Sequence, residues 1–337
     1  MSKISINHLP VATWNHLRVN EAFADIPSVT GEADVRVSGD AVVSVSDHSD
    51  MRTGMGAEYD ALIKSYAKCE TISTKDASAL VRFDITADGV NALAYHVDAA
   101  EGQFITVVQV IDGEDGSELL LSTKLEAKAS SHVRLIQYIR GGAGICNDIG
   151  TRADEAACVE LFQIFDGSGD NRSGVYTRLD GKAAQFISNT GYRNASGLLD
   201  MNYVSDHFGR RTNTVMNFGG SLDGGAVKVL RGTIDFKKGC SGAVGNEKEE
   251  VLMLSDECVN RTVPLILCAE EDVEGNHGAS IGQADEEMLY YMGTRGLSRE
   301  EAIRMLSVAK LESVIAKIDD EKLRREFSEH LKGSSDE

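Results

Sequence analysis

The chain has 337 residues, long for one compact core, with 42% apolar and 26% charged residues, so a globular protein of two or three structural units is expected. Lys and Arg total 34 against 53 Asp and Glu, a formal charge of −19 that repels phosphate backbones and anionic bilayers and argues against nucleic-acid or membrane partners. No apolar run approaches the length of a membrane span, and the opening MSKISINHLP has no apolar signal segment, so a cytoplasmic location is expected.

In chain order, residues 1–78 read as an N-terminal arm and helical region. Leu9, Trp14 and Leu17 are placed to pin the arm to the body, and Tyr59, Leu62, Ile63 and Tyr66 give segment 57–69 one apolar helical face. Residues 79–283 read as strand-rich. ALVRFDI, FITVVQVI, ELLLSTKLEA, HVRLIQYI, VKVLRGTIDF, EVLMLS and VPLILC are short, rich in Val, Ile and Leu, and bounded by turn residues. Several are almost continuously apolar, as in strands buried on both faces. A sandwich, a barrel or a β-solenoid fits, and the lack of a strict hexapeptide repeat argues against the regular left-handed solenoid. Residues 284–337 switch to helix. Met288, Leu289 and Met292 share a face, Gly296 stands at a C-terminal cap position, and Ser298 to Glu301 forms an S-x-x-E capping box. The helix it opens carries Ile303, Leu306, Ala309, Lys310, Val314 and Ile318, and a third, polar helix frays into a tail.

The six cysteines (69, 146, 158, 240, 258 and 268) form no CxxC pair and no zinc-finger spacing, and most are expected as small core residues. Cys268 ends an apolar strand and is expected in the core, whereas Cys258 lies at a turn and is the more exposed candidate to offer a thiolate to a metal such as iron. The run Glu270, Glu271, Asp272 with Glu274 reads as a solvated turn, and His207 with Arg210 and Arg211 as a solvated strand edge. There is no GxxxxGK[ST], H-E-x-x-H or G-x-S-x-G, so neither nucleotide hydrolysis nor those hydrolytic chemistries are written in the chain.

Segment 264–303, PLILCAEEDVEGNHGASIGQADEEMLYYMGTRGLSREEAI, resembles the C-terminal hallmark of the SufB/SufD family of iron–sulfur cluster assembly proteins. The resemblance runs from Pro264, taken to close a strand pair, through His277-Gly278-Ala279 and Ser280-Ile281-Gly282. It continues into a Gln283-x-Asp285-Glu286 helix start and a Tyr291-x-x-x-Arg295-Gly296 helix end. Residues 207–236 resemble the family's β-core and residues 9–21 the arm of its short SufD-like members, and the similarity is densest over 203–318. It implies a mainly β fold, a right-handed parallel β-helix core between an N-terminal arm with its helix and a C-terminal helical domain.

Function follows from the resemblance as an expectation: a non-catalytic scaffold working with a SufC-like ABC ATPase and a SufB-like chain. No tightly bound cofactor is expected in isolation, and iron or a transient iron–sulfur cluster is expected in the complex. The ATPase would dock through Gln283, Asp285, Glu286, Tyr291, Arg295, Gly296 and Glu301. SufB-type chains carry a Cys where this sequence has Glu249 and a Glu where it has Gly278, so the SufD-like form is indicated. His277, expected just past the final apolar strand, is the candidate iron or cluster ligand at a partner interface, since imidazole ligates iron; a histidine bonding its own loop is the alternative. Two other functions remain open: a homodimeric SufB-like scaffold serving the ATPase alone, and a β-helix polysaccharide enzyme, which the 6% aromatic content and single Trp14 disfavour.

Overall fold

The computed structural model describes residues 2–13 and 15–333; Trp14 and the end of the tail lie outside the described residues. From residue 69 onward successive strands alternate between two nine-stranded sheets, and within each sheet the neighbours run parallel. The result is a parallel β-solenoid of about eight turns, as the resemblance implies. Register is regular along it: Phe104 pairs with His132, His132 with Cys158, Cys158 with Gln185 and Gln185 with Asn213.

Alternation within each strand sends one set of side chains into the lumen and the other outward. Val107, Leu135 and Leu161 stack in register inside the lumen and belong to the main core. Two positions on, Gln109, Gln137 and Gln163 form a buried amide ladder, with Gln137 donating to Gln109 at 2.7 Å and Gln163 to Gln137 at 2.8 Å. In-register stacking places like amides one coil apart, so each buried group finds its partner. The outward set explains the continuously apolar strands. Val108, Ile136, Tyr138, Phe162 and Ile164 are covered by helices α3 (Arg299–Ile315) and α4 (Glu321–Gly333), with Tyr138 stacked on Phe327 at 4.8 Å. On the other sheet, Ala94, Leu120 and Cys146 pack beneath helix α1 (Ala57–Tyr66) through Tyr59 and Ile63, and beneath Ile6, Ala24 and Ile26 of the arm. Leu9 is buried and Leu17 is 47% exposed, so the arm is pinned by Leu9 but not by Leu17.

Arm and body are tied by a buried ion pair. Arg231 bonds Asp200 at 2.8 Å and donates to the carbonyls of Val19 and Glu21, while Asn7 donates to the same Asp200 oxygen at 2.7 Å. The sheets begin earlier than the strand-rich zone read from sequence, because Asp34–Gly39, Val42–Ser46 and Cys69–Ser73 already belong to them. The first two run antiparallel to their neighbours and cover the N-terminal end of the solenoid. At the other end, strands Val259–Cys268 and Val273–Gln283 each pair on one side only, and their residues are half-buried to exposed. The lumen is therefore open there.

Several sequence expectations are corrected by this architecture. Pro264 does not close a strand pair. It sits within Val259–Cys268 opposite Gly232, which a residue without an N–H tolerates because the strand is an edge. Cys268 is exposed and Cys258 is buried, its thiol donating to the Ser255 carbonyl at 3.0 Å. The order reverses because the last coil is uncovered. His207 is not on a solvated edge: it is fully buried and bonded to the Thr212 hydroxyl at 2.7 Å, and burial pushes its pKa down to about 4, leaving it neutral. The buried stripe of α3 runs through Ala302, Ser307, Leu311, Val314 and Ile315; of the stripe read from sequence, Val314 and Ile318 are buried, whereas Ile303, Leu306, Ala309 and Lys310 lie beside the buried face.

Candidate functional site

The open end of the solenoid gathers the residues that carry chemistry. His277 is not in a loop beyond the last strand. It lies in the middle of Val273–Gln283, a strand that its Gly, Asn and His content hides and that ladder pairing alone specifies. Its register partner is Glu247, and Glu249 pairs with Ala279. Parallel in-register partners point to the same side of a sheet and neighbouring strands lie about 4.8 Å apart, so His277 and Glu247 share one face.

That face is the lumen, as contacts across it show. Lys228, on the opposing sheet, forms a buried ion pair with Glu249; their side chains are 0% and 1% exposed. The Lys228 ammonium also reaches the Thr262 hydroxyl at 3.3 Å and lies 5.6 Å from the Tyr192 ring. Glu247 extends over Gly232 of the opposing sheet, where an added Cβ would meet its carboxylate at 2.3 Å. Burial and then the charge of Glu249 push the Glu247 carboxyl up to about 7, while burial draws the Lys228 ammonium down. Sequence reasoning placed Glu249 only as the counterpart of a missing Cys and missed Lys228 and Glu247. The alternating N-E-K-E-E-V-L-M pattern of residues 246–253 is the signal that could have marked Glu247; no comparable local pattern surrounds Lys228.

The residues expected to dock a partner lie on the helical hairpin that follows. Gln283 ends the last strand and donates to Asp256 at 2.7 Å. Asp285 caps α2 (Glu286–Thr294) by accepting from the Glu287 N–H at 2.9 Å. Glu286 forms a two-pronged pair with Arg299 at 2.7 and 2.9 Å, and Tyr291 accepts from Arg295 at 2.7 Å. Gly296, at φ +91°, takes the left-handed turn after α2 that a side chain would strain, and Ser298 with Glu301 completes the capping box. These residues set the shape of the hairpin. Its surface exposes Met288, Tyr290, Tyr291 and Met305 at 48%, 76%, 56% and 53%; the sequence marks Tyr291 as a docking residue and Met288 as part of an apolar face, of which Leu289 is the buried member. The acidic turn after Cys268 is exposed as expected, with Glu270 accepting from the Gly239 N–H and Asp272 from the Ser241 hydroxyl. Among the described residues no group of three or more His, Cys, Asp or Glu side chains is arranged to hold a metal ion, and no helix is long and apolar enough to cross a membrane.

A parallel solenoid flanked by an N-terminal arm and a C-terminal helical hairpin, with an open end bearing histidine and carboxylates, defines a class of architecture. Comparison with known families makes it particular. Residues 83–310 match the family model described as "SUF system FeS cluster assembly, SufBD core domain", and the chain belongs to that family. It is 30% identical over 121 residues to the iron–sulfur cluster assembly protein SufD of Bacillus subtilis, a stretch covering 36% of this chain and 28% of that protein. A SufBD family protein of Staphylococcus saprophyticus is 32% identical over 101 residues, 30% of this chain and 22% of its own length. The matched stretches thus span less than a third of these relatives.

Proposed function

We propose that the chain is a non-catalytic scaffold subunit in iron–sulfur cluster assembly, a role that its family membership supports. A SufC-like ABC ATPase would dock on the α2–α3 hairpin, and the open end would meet a SufB-like chain. The observation that carries the reading is the position of His277: exposed, on the lumen face of the last coil, beside Glu247 in register. Two edge strands, each with one side open among the described residues, are a ready surface for another chain. There the imidazole would supply one ligand to iron or a transient cluster, and the thiolates would come from the partner. With Glu249 and Gly278 where SufB-type chains carry Cys and Glu, a second copy of this chain is the less suitable partner, and the homodimeric alternative loses ground. The polysaccharide-enzyme alternative draws no support from the family match.

The test is capture of the partners. Full-length chain co-expressed with the ATPase and a SufB-like chain should co-purify with both, and a chain ending before Gln283 should lose the ATPase. Unchanged ATPase capture by the shortened chain would place the docking site elsewhere.

A further inference from the structure

Inside the open end the buried acids outnumber the buried bases. One ammonium, Lys228, faces two carboxyl groups, Glu249 in a buried ion pair and Glu247 lying over Gly232 of the same strand as Lys228. Lys228 satisfies one oxygen of Glu249, while the other, Oε2, is buried without a hydrogen-bond partner among the described residues. Buried polar atoms are almost always paired, so an orphaned carboxylate oxygen marks an unmet demand for a positive partner. A second group points the same way. The hydroxyl of Tyr192, a residue with no exposed surface, also has no hydrogen-bond partner among the described residues, and its ring lies 5.6 Å from the Lys228 ammonium of the same cluster. Gly232, having no Cβ, lets the Glu247 carboxylate lie against the opposing sheet.

We propose that Glu247 and Glu249 form, with the Tyr192 hydroxyl beneath them, a binding site for one divalent cation just inside the open end of the solenoid. Carboxylate and hydroxyl oxygens suit hard and borderline divalent ions, and the neighbouring His277 tilts the preference toward transition metals such as Mn(II), Fe(II) or Co(II) over Ca(II). An ion reaches the site through the uncovered last coil and fills its remaining positions with water or with groups from an apposed chain. Taking the cargo to be ferrous iron rests on the scaffold reading. The site itself rests only on the excess of buried acids and the unpaired oxygens. It would hold iron one coil deeper than His277, as a loading position ahead of the shared interface.

The test uses the isolated full-length chain, with no partner and no cluster chemistry, so its failure leaves the scaffold reading standing and a failure of partner capture leaves this test intact. Mn(II) titrated into metal-free protein and followed by the free-ion electron paramagnetic resonance signal should show one saturable site. Glu247→Gln should weaken it at least tenfold, and Glu274→Gln, in the exposed acidic turn, should not change it. Because buried substitutions can impair folding, Lys228→Met gives a second readout. Removing the competing ammonium should lower the melting temperature of metal-free protein, and Mn(II) should then raise it by more than it raises wild type. No saturable site in wild type, equal binding by Glu247→Gln, or a Lys228→Met melting temperature that Mn(II) does not raise would each overturn the proposal.

Discussion

Replacing Asp200 with alanine is the sharpest test of how the arm is held on the solenoid. Arg231 is 1% exposed and Asp200 4%. Their pair cannot open to water without moving the arm, because Arg231 also donates to the carbonyls of Val19 and Glu21. Removing one member of a buried pair strands the other charge and typically costs about 3–5 kcal/mol. Two considerations set the size here. Arg231 keeps its two carbonyl acceptors, which favours the lower end, but Asn7 loses its bond to the Asp200 carboxylate, which adds to the loss. The expected cost is therefore about 3 kcal/mol or slightly more, read from chemical denaturation followed by circular dichroism. The loss should be localised as well. Arg18, exposed within the arm, should become a fast site for trypsin in Asp200→Ala while the solenoid remains resistant. A cost below about 1 kcal/mol, the ordinary effect of a substitution without a special mechanism, together with unchanged cleavage at Arg18, would refute the view that this pair anchors the arm.

Further outcomes follow from other contacts. Phe327→Ala removes the ring stacked on Tyr138 and should weaken the seating of α4 by about 3–5 kcal/mol, seen as faster hydrogen exchange confined to α4. His277→Ala, on an exposed strand face, should change stability by no more than about 0.5 kcal/mol yet lower the cluster yield of an assembled complex; a large loss of stability would instead assign His277 a structural role. Burial pushes Asp148 up to about 7, with Asp60 adding to the shift and Thr53, the Met55 N–H and Lys124 opposing it. A carboxyl raised in the folded state contributes stability that is complete below its unfolded pKa and is lost as pH rises through the folded value. Stability should therefore decline between about pH 4 and pH 7, and Asp148→Asn should flatten that decline in denaturation profiles. The isolated chain, having no phosphate-binding loop, should not hydrolyse ATP in a coupled assay.

The strands that were legible in the sequence are those apolar on both faces, such as FITVVQVI and HVRLIQYI, because one face fills the lumen and the other lies under α3 and α4. The helix caps were legible too, since capping is local chemistry: the Ser298–Glu301 box and Gly296 stand where the spacing put them. Strands such as Gln185–Asn194 and Val273–Gln283 were not, because their polar and glycine residues are held by in-register neighbours some thirty positions away. For the same reason Cys258 and Cys268 exchanged places. Exposure at the last coil depends on where the stacking stops, which no local pattern states. His277 was visible through resemblance, whereas the pairing of Glu247 with His277 and of Lys228 with Glu249 emerged only once register and fold brought those strands together.

The most direct test of the scaffold account is cluster assembly on the co-purified complex, comparing wild type with His277→Ala under anaerobic supply of Fe(II) and sulfide and reading the charge-transfer absorption of the bound cluster. The account predicts a complex of unchanged composition that holds substantially less cluster when His277 is replaced. A His277→Ala complex that assembles the wild-type amount of cluster would contradict it.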